Sequence, residues 1–317
     1  MGKASVLLCA VLLLASAQDS NAKTVLSIAT GGEAGVYYPL GVGLAKLLTN
    51  HLTDALVTAK TSDASTANVK LIAEREADLA FVQNDVALRA VKGEKPFKEP
   101  VKDLTIIASL YPEHVQIVTV RGNGVKTLSD LKGKRVSVGS IDSGATDSVS
   151  AILSAAGIKY TEINADFLDF ANTVLRIQDD ELDAGFVLAG YPTAAVTALA
   201  AKKDIDIVEL EDDLLDKLSA LHPFFTKSVI PAGTYDGVDH DTRTAAVMSV
   251  LICDSNLADD LVYAITKAIF ENLAELAPAH AKAEMITLDT ALSAAVIKVH
   301  PGAAKYYVEK GLKVPTF

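Results

Sequence analysis

The sequence predicts an α/β fold in two lobes, joined by a hinge and enclosing a ligand cleft, and three observations lead there. Short apolar runs of strand length alternate with amphipathic helical stretches along the whole chain, the pattern of helices packed on a sheet with mainly parallel pairing. Val25 to Ala29 reads as a buried strand, Thr30-Gly31-Gly32-Glu33-Ala34-Gly35 as a loop, and Leu40, Leu44, Leu47 and Leu48 as one face of a helix that tolerates Pro39 in its first turn. The same order returns in the other half, with Arg135 to Gly139 as strand, Ser140 to Thr146 as loop, and Val149, Ile152, Leu153 and Ala156 as a helical face closed by Gly157. Such a junction aims backbone N–H groups and the positive end of a helix dipole at one spot, which favours an anion. One glycine loop is more often a packing turn. Two of them in separate halves point to a ligand held between lobes.

At the start of the chain, Lys3 precedes the apolar run Ala4 to Ala17 and the small-residue sites Ala15-Ser16-Ala17 and Ser20-Asn21-Ala22. Residues 1–22 therefore read as a secretory signal peptide, cleaved after Ala22 or, as second choice, after Ala17, which makes the expected location the periplasm. Leu8 stands before Cys9 where a lipoprotein site needs a small residue, so no lipid anchor is expected. Cys253 is then the one cysteine left, and the mature protein has no internal disulfide. The roughly 295 residues that remain are near the size at which one core gives way to two. No later apolar run reaches the ~18 residues of a membrane span. The net charge of −11, with no tryptophan and no basic cluster, argues against nucleic acid or an anionic membrane surface as partner.

The remaining elements follow in order. Ala55 to Ala59 is a strand, and Ala64 to Glu76 a helix with Val69, Ile72 and Ala73 inward. Leu79 to Val82 is a strand apolar on both faces, ending in Gln83-Asn84-Asp85, and the carboxyl ends of buried parallel strands are where ligands of open α/β sheets sit. Gly93 to Pro100 is a surface loop. Thr105 to Leu110 and Val115 to Val120 are two strands separated by Tyr111-Pro112-Glu113-His114. Beyond the second junction come a strand at Tyr160 to Ile163, a helix with Ala171, Val174 and Leu175 inward, and a strand at Ala184 to Leu188 meeting Ala189-Gly190-Tyr191-Pro192-Thr193. Val196 and Leu199 mark a helix, and Ile205 to Val208 returns towards the first lobe. Glu209 to Leu221 is an acidic helix, Pro231 to Gly237 a turn-rich loop, and Ala246 to Cys253 a strand. Leu261, Ala264, Ile265, Ala268, Ile269 and Leu276 line a long helix.

Catalytic patterns are missing. Gly139-Ser140 and Ser143-Gly144 lack the spacing of a nucleophile elbow, Leu131 to Arg135 lacks the Ser/Thr of a phosphate loop, and Gly41-Val42-Gly43 lacks the third glycine of a dinucleotide fingerprint. The six histidines are scattered without ligand spacing, so neither a metal site nor a cofactor is expected. The acidic runs Asp179 to Glu181 and Glu209 to Asp213 read as solvated faces. Tyr37-Tyr38, directly after the first loop, can place one ring in the core and one hydroxyl in a cleft.

The ordered set Thr30-Gly31-Gly32 through Tyr37-Tyr38-Pro39-Leu40-Gly41, Ala77 to Gln83, Leu131 to Val136, Ser143-Gly144, Ala189 to Thr193, Ile230 to Tyr235, Phe270 to Leu273 and His300 to Ala303 resembles the TAXI family. These are the solute-binding subunits of TRAP (tripartite ATP-independent periplasmic) transporters. The resemblance covers essentially the whole mature chain. It implies a two-lobed receptor of the periplasmic-binding-protein type that closes on a small carboxylate or amino acid, glutamate-like ligands included, and hands it to a sodium-coupled permease. It places Tyr37, Gln83, Ser143, Gly144 and the turn from Gly190 through Pro192 to Thr193 at the cleft. Two departures stand out: Glu33 where the family often has Thr or Ser, and Ala145-Thr146 where it often reads Thr-Glu.

The expected organisation is lobe one from 23–119 plus 208–317 and lobe two from 120–207, hinged near Val120 and Val208, in a monomer that binds and does not catalyse. Gly32, Glu33, Asn84, Ala145 and Thr146 complete the candidate set. Backbone N–H groups at the two helix starts, with Tyr37, Gln83, Ser143 and Thr146, replace the hydration of an anionic group. Glu33 either points to solvent, favouring the dipole from outside, or faces the cleft and takes a ligand ammonium. A sensory subunit serving a membrane kinase, or a periplasmic enzyme on the same lobes, is the alternative.

Overall fold

The computed structural model describes residues 23–317, so the expected signal peptide at 1–22, with Cys9, lies outside them. The fold is mixed α/β. A single ten-stranded sheet runs β2 (Ala55–Lys60), β1 (Thr24–Ala29), β3 (Leu79–Gln83), β10 (Thr242–Asp254), β4 (Leu104–Val120), β7 (Ala184–Ala189), β5 (Arg135–Ser137), β6 (Asn164–Asp166), with β8 (Ile205–Ile207) on β4 and β9 (Thr226–Ile230) on β10.

The two long strands hold the halves together. β4 pairs with β10 from Leu104 to His114 and with β7 and β8 from His114 to Val120, so one strand belongs to both ends of the sheet. Its continuity corrects the expectation of two strands separated at Tyr111 to His114. Pro112 has no N–H to give a ladder, and it is accommodated because the register with β10 shifts between Met248 and Val250, a bulge of the kind where strand prolines are found. The pairing is also less parallel than expected: β1 with β2 and β3, and β5 with β6 and β7, are parallel, whereas β4 and β10 run antiparallel to every named strand they pair with.

Helices cover both faces. Leu40, Leu44 and Leu47 of α1 (Tyr37–His51) pack with Ile265 and Ile269 of α8 (Asp259–Glu271) and with Tyr306 and Tyr307 of α9 (Pro301–Glu309). Val149 and Ile152 of α4 (Gly144–Ala155) join Ile117 and Phe186, together with Leu215 and Leu218 of α7 (Asp212–Leu221). Val69 and Ile72 of α2 (Ser65–Ala73) meet Val82, Ile106, and Val86 of α3 (Asn84–Lys92). Each such side chain contributes about 1.5–3 kcal/mol. Two helical faces differ from expectation. α2 stops at Ala73, which is exposed, because Arg75 takes a left-handed φ of 60°. In α5 (Phe170–Gln178) the inward residues are Thr173 and Ile177, with Leu175 half exposed, because Gly185 of β7 lets Thr173 come close enough for its hydroxyl to meet that of Ser137 at 2.6 Å. The strand expected at Tyr160 to Ile163 begins at Asn164. The preceding residues form a 3-10 turn that Glu162 closes on the Lys159 N–H at 2.8 Å. The remaining helix, α6 (Ala194–Ala200), follows β7. Among the described residues no helix is long and apolar enough to cross a membrane.

Candidate ligand-binding site

A cavity lies where the two loop–helix junctions face each other. The first junction is fixed from below. Asn68, fully buried on α2, donates to the carbonyls of Thr30 and Phe81, 2.7 Å each, and so ties the ends of β1 and β3 together. Gly41 lets α1 approach this point, because a Cβ there would lie 2.3 Å from the Thr30 methyl. The second junction is capped by Ser143, whose hydroxyl oxygen accepts from the Thr146 N–H at 3.3 Å.

The second junction closes on α2 and on the end of β3, which flank the first. The Ala67 N–H donates to the Asp142 carbonyl at 3.0 Å, Lys70 pairs with the Asp142 carboxylate at 2.8 Å, and the Ser148 hydroxyl donates to Gln83 Oε1 at 3.5 Å. Between them, Tyr37, Gln83, Tyr111 and Glu113 form a polar floor, with Phe170, Leu188 and Val36 as apolar wall. Gln83 Nε2 donates to Glu113 Oε2 at 2.9 Å. Glu113 Oε1 and the hydroxyls of Tyr37 and Tyr111 are buried without a hydrogen-bond partner among the described residues. Burial pushes the Glu113 carboxyl up to about 7; the nearby Tyr37 hydroxyl and the Gln83 amide pull it down, and the charge of Asp85 pushes it up. Burial, and then the charge of Glu113, hold both tyrosine hydroxyls well above their ordinary range, so they stay neutral donors.

A wider mouth opens outward past Gly32, Ser143 and Phe170, and is rimmed by Glu33, Asp63 and Asp169, all exposed. The lip between cavity and mouth is Ala64, with φ 68° and ψ −145°. Such a backbone costs an alanine about 1–3 kcal/mol.

Of the candidate residues, Gly32, Tyr37, Gln83, Ser143, Gly144 and Ala145 come together around the cavity, and Glu33 stands at its mouth. The other five lie outside its lining. Asn84 is buried and accepts from the Met248 N–H at 3.3 Å. The hydroxyls of Thr146 and Ser143 both donate to the Ser140 carbonyl, at 2.5 and 2.7 Å. Gly190 packs on Tyr111 and Lys282 from behind, and Pro192 is exposed. Thr193 is buried, accepting from Gln116 at 2.9 Å and donating to the Gly190 carbonyl at 2.8 Å. Sequence reasoning passed over Glu113, Tyr111, Ser65 and Phe170. The signal for Glu113 was a carboxylate inside a stretch apolar on both sides, Leu110 to Val118.

Among the described residues no three His, Cys, Asp or Glu side chains are grouped to hold a metal. Cys253 is buried in β10, its thiol pushed up to about 12 by burial, and serves the core.

A mixed sheet with a cleft between two loop–helix junctions is the architecture of solute-binding proteins of the periplasmic type, and known structures share it. The alkanesulfonate-binding protein SsuA from Xanthomonas axonopodis pv. citri, bound to MOPS, is similar at 14% identity, covering 90% of this chain and 83% of that one, with a TM-score of 0.50. An ancestral arginine-binding protein bound to arginine is similar at 15% identity, covering 84% and 99%, with a TM-score of 0.52. A putative L-cystine ABC transporter protein from Listeria monocytogenes is similar at 12% identity, covering 84% and 98%, with a TM-score of 0.50. The family model described as NMT1-like matches residues 28–311. The chain belongs to the NMT1-like family and has the fold of solute-binding proteins of the periplasmic type.

Proposed function

We propose that this protein is an exported, monomeric receptor that closes on a small carboxylate or amino acid, glutamate-like in size, and delivers it to a TRAP permease, as the TAXI resemblance implies. The observation that carries this reading is the enclosure of the cavity: hydroxyl groups, an amide and a carboxyl converge on a space for a small polar molecule, with the starts of α1 and α4 on either side. Backbone N–H groups at those starts suit a carboxylate, and the neutral Tyr37 and Tyr111 hydroxyls add two donors. In this reading the chain forms two lobes, with α7 packed on α4 in the second and not, as its position after residue 208 suggests, in the first, and they open about β4 and β10, the strands that cross between them, to admit the solute.

Mass spectrometry of ligand carried through native purification tests this directly, followed by thermal shifts with the compound found. A small carboxylate or amino acid is expected, stabilising the protein by about 2.7 kcal/mol at a hundredfold excess over its dissociation constant. A recovered sulfonate or sugar, or no shift across a panel of carboxylates and amino acids, overturns it.

A further inference from the structure

We infer that Glu113 is the residue that selects the ligand, its free carboxylate oxygen receiving the ammonium group of an amino acid in exchange for a proton. The inference rests on the reading of the cavity as a carboxylate or amino-acid site.

Glu113 is 2% exposed and, among the described residues, is the one charged side chain lining the cavity. Its two oxygens differ: Oε2 is occupied by Gln83, whereas Oε1 is buried and unpartnered. A buried carboxylate oxygen without a donor is costly and calls for a cation or a proton. The groups packed around it supply neither. Tyr37 on α1 and Tyr111 on β4 are neutral; the Tyr37 hydroxyl lies close enough to favour the ionised carboxylate, but neither hydroxyl meets it in hydrogen-bond geometry. Asp85 on α3 is itself paired with Arg89, whose guanidinium also lies 3.9 Å from Asp147 on α4 and is thus held away from the cavity by two carboxylates. His114, next along β4, is engaged with Ser228 at 3.0 Å and packs edge-on to Tyr191.

With the solute absent, a proton on Glu113 meets that need, in keeping with a carboxyl pushed up to about 7. An arriving ammonium stabilises the ionised form, so the proton leaves. Tyr37, Tyr111 and the helix starts remain free for the ligand's carboxylate. A 2-oxo acid offers no ammonium and gains nothing from Glu113.

The test is titration calorimetry with the common L-amino acids and their matching 2-oxo acids, run on the wild-type protein in phosphate and in Tris at pH 6.5 and repeated on Glu113→Gln. The expected result is an amino acid that binds with proton release, gains affinity as pH rises towards 7, and loses about ten- to hundredfold in the variant, while the oxo acid is unaffected or tighter. The proton count needs no variant, so a folding defect in Glu113→Gln leaves the test intact. Proton uptake with affinity falling above pH 7 overturns the inference, because Glu113 then acts as a protonated donor to a carboxylate. Binding of oxo acids alone overturns it and leaves the carboxylate site standing. Binding of neither class overturns both readings.

Discussion

A Cβ added to Gly144 would lie 2.3 Å from Oε1 of Gln83. The first residue of α4 and the last residue of β3 are therefore in contact across the cavity with no room between them for a methyl group. The start of α4 can sit this low on β3 only because residue 144 has no side chain. Backbone flexibility is not the reason, since Gly144 is not among the glycines with positive φ.

This contact makes Gly144→Ala a selective probe of closure. In the open form proposed for the empty protein the clash is relieved and alanine suits a helix better than glycine by up to ~1 kcal/mol, so without ligand the variant is expected to melt at the same temperature or higher. Ligand affinity should fall at least tenfold, about 1.4 kcal/mol, because the enclosed form then carries a clash. Thermal melts with and without ligand separate the two effects.

Asn68 should matter to stability more than its distance from the cavity suggests. Its amide holds two buried carbonyls, those of Thr30 just past β1 and Phe81 in β3; in Asn68→Ala the Ser62 hydroxyl still reaches Thr30, whereas Phe81 loses its side-chain donor at about 1–3 kcal/mol for a group left unsatisfied. A loss of about 2 kcal/mol in urea unfolding is expected. Affinity should fall as well, since the loop that follows Thr30 loses one of its anchors.

Much of this site was legible from residue type alone. Glycine loops between a strand and a helical face announce themselves, so both junctions were in view, although Ser143, a loop residue by sequence, proves to cap α4. Glu113 was not. Tyr-Pro-Glu-His has the composition of a turn, and only the bulge opposite Met248 and Val250 lets Pro112 remain within β4. That makes the intervening carboxylate part of the buried floor. The predominance of parallel pairing was overestimated for the same reason: a strand that serves both ends of a sheet is invisible to patterns read a few residues at a time. Glu33, which fits the resembling family least, stood out in sequence, yet the structure places it in solvent at the mouth.

The buried acid also sets a pH dependence in the empty protein. Below pH ~4.5 Glu113 is protonated in both folded and unfolded chains and costs nothing. Between there and pH 7 the unfolded chain gives up its proton first, so stability falls, and above pH 7 the cost levels off at about 3 kcal/mol. Asp147, pushed up to about 6 by burial, acts in the same direction. Glu113→Gln is therefore expected to match wild type at pH 4 and exceed it at pH 8, by urea unfolding of ligand-free protein.

The three carboxylates at the mouth predict an effect that enters through the association rate. Glu33, Asp63 and Asp169 are exposed and line the approach, where water and salt screen them from a ligand already enclosed. What they influence is the encounter, since charge of one sign around an opening repels like-charged solutes and draws opposite ones. A dicarboxylate should thus enter more slowly than a neutral zwitterion of equal size. Glu33→Gln should raise the association rate of the dicarboxylate about two- to threefold at low ionic strength while leaving dissociation unchanged, and the gain should vanish near 0.5 M salt, where screening is almost complete. The chain has no tryptophan, so stopped-flow tyrosine emission, with Tyr37 and Tyr111 in the cavity, reports the event. A change confined to dissociation would instead place Glu33 in contact with the bound solute, and its carboxylate would then share the ammonium with Glu113.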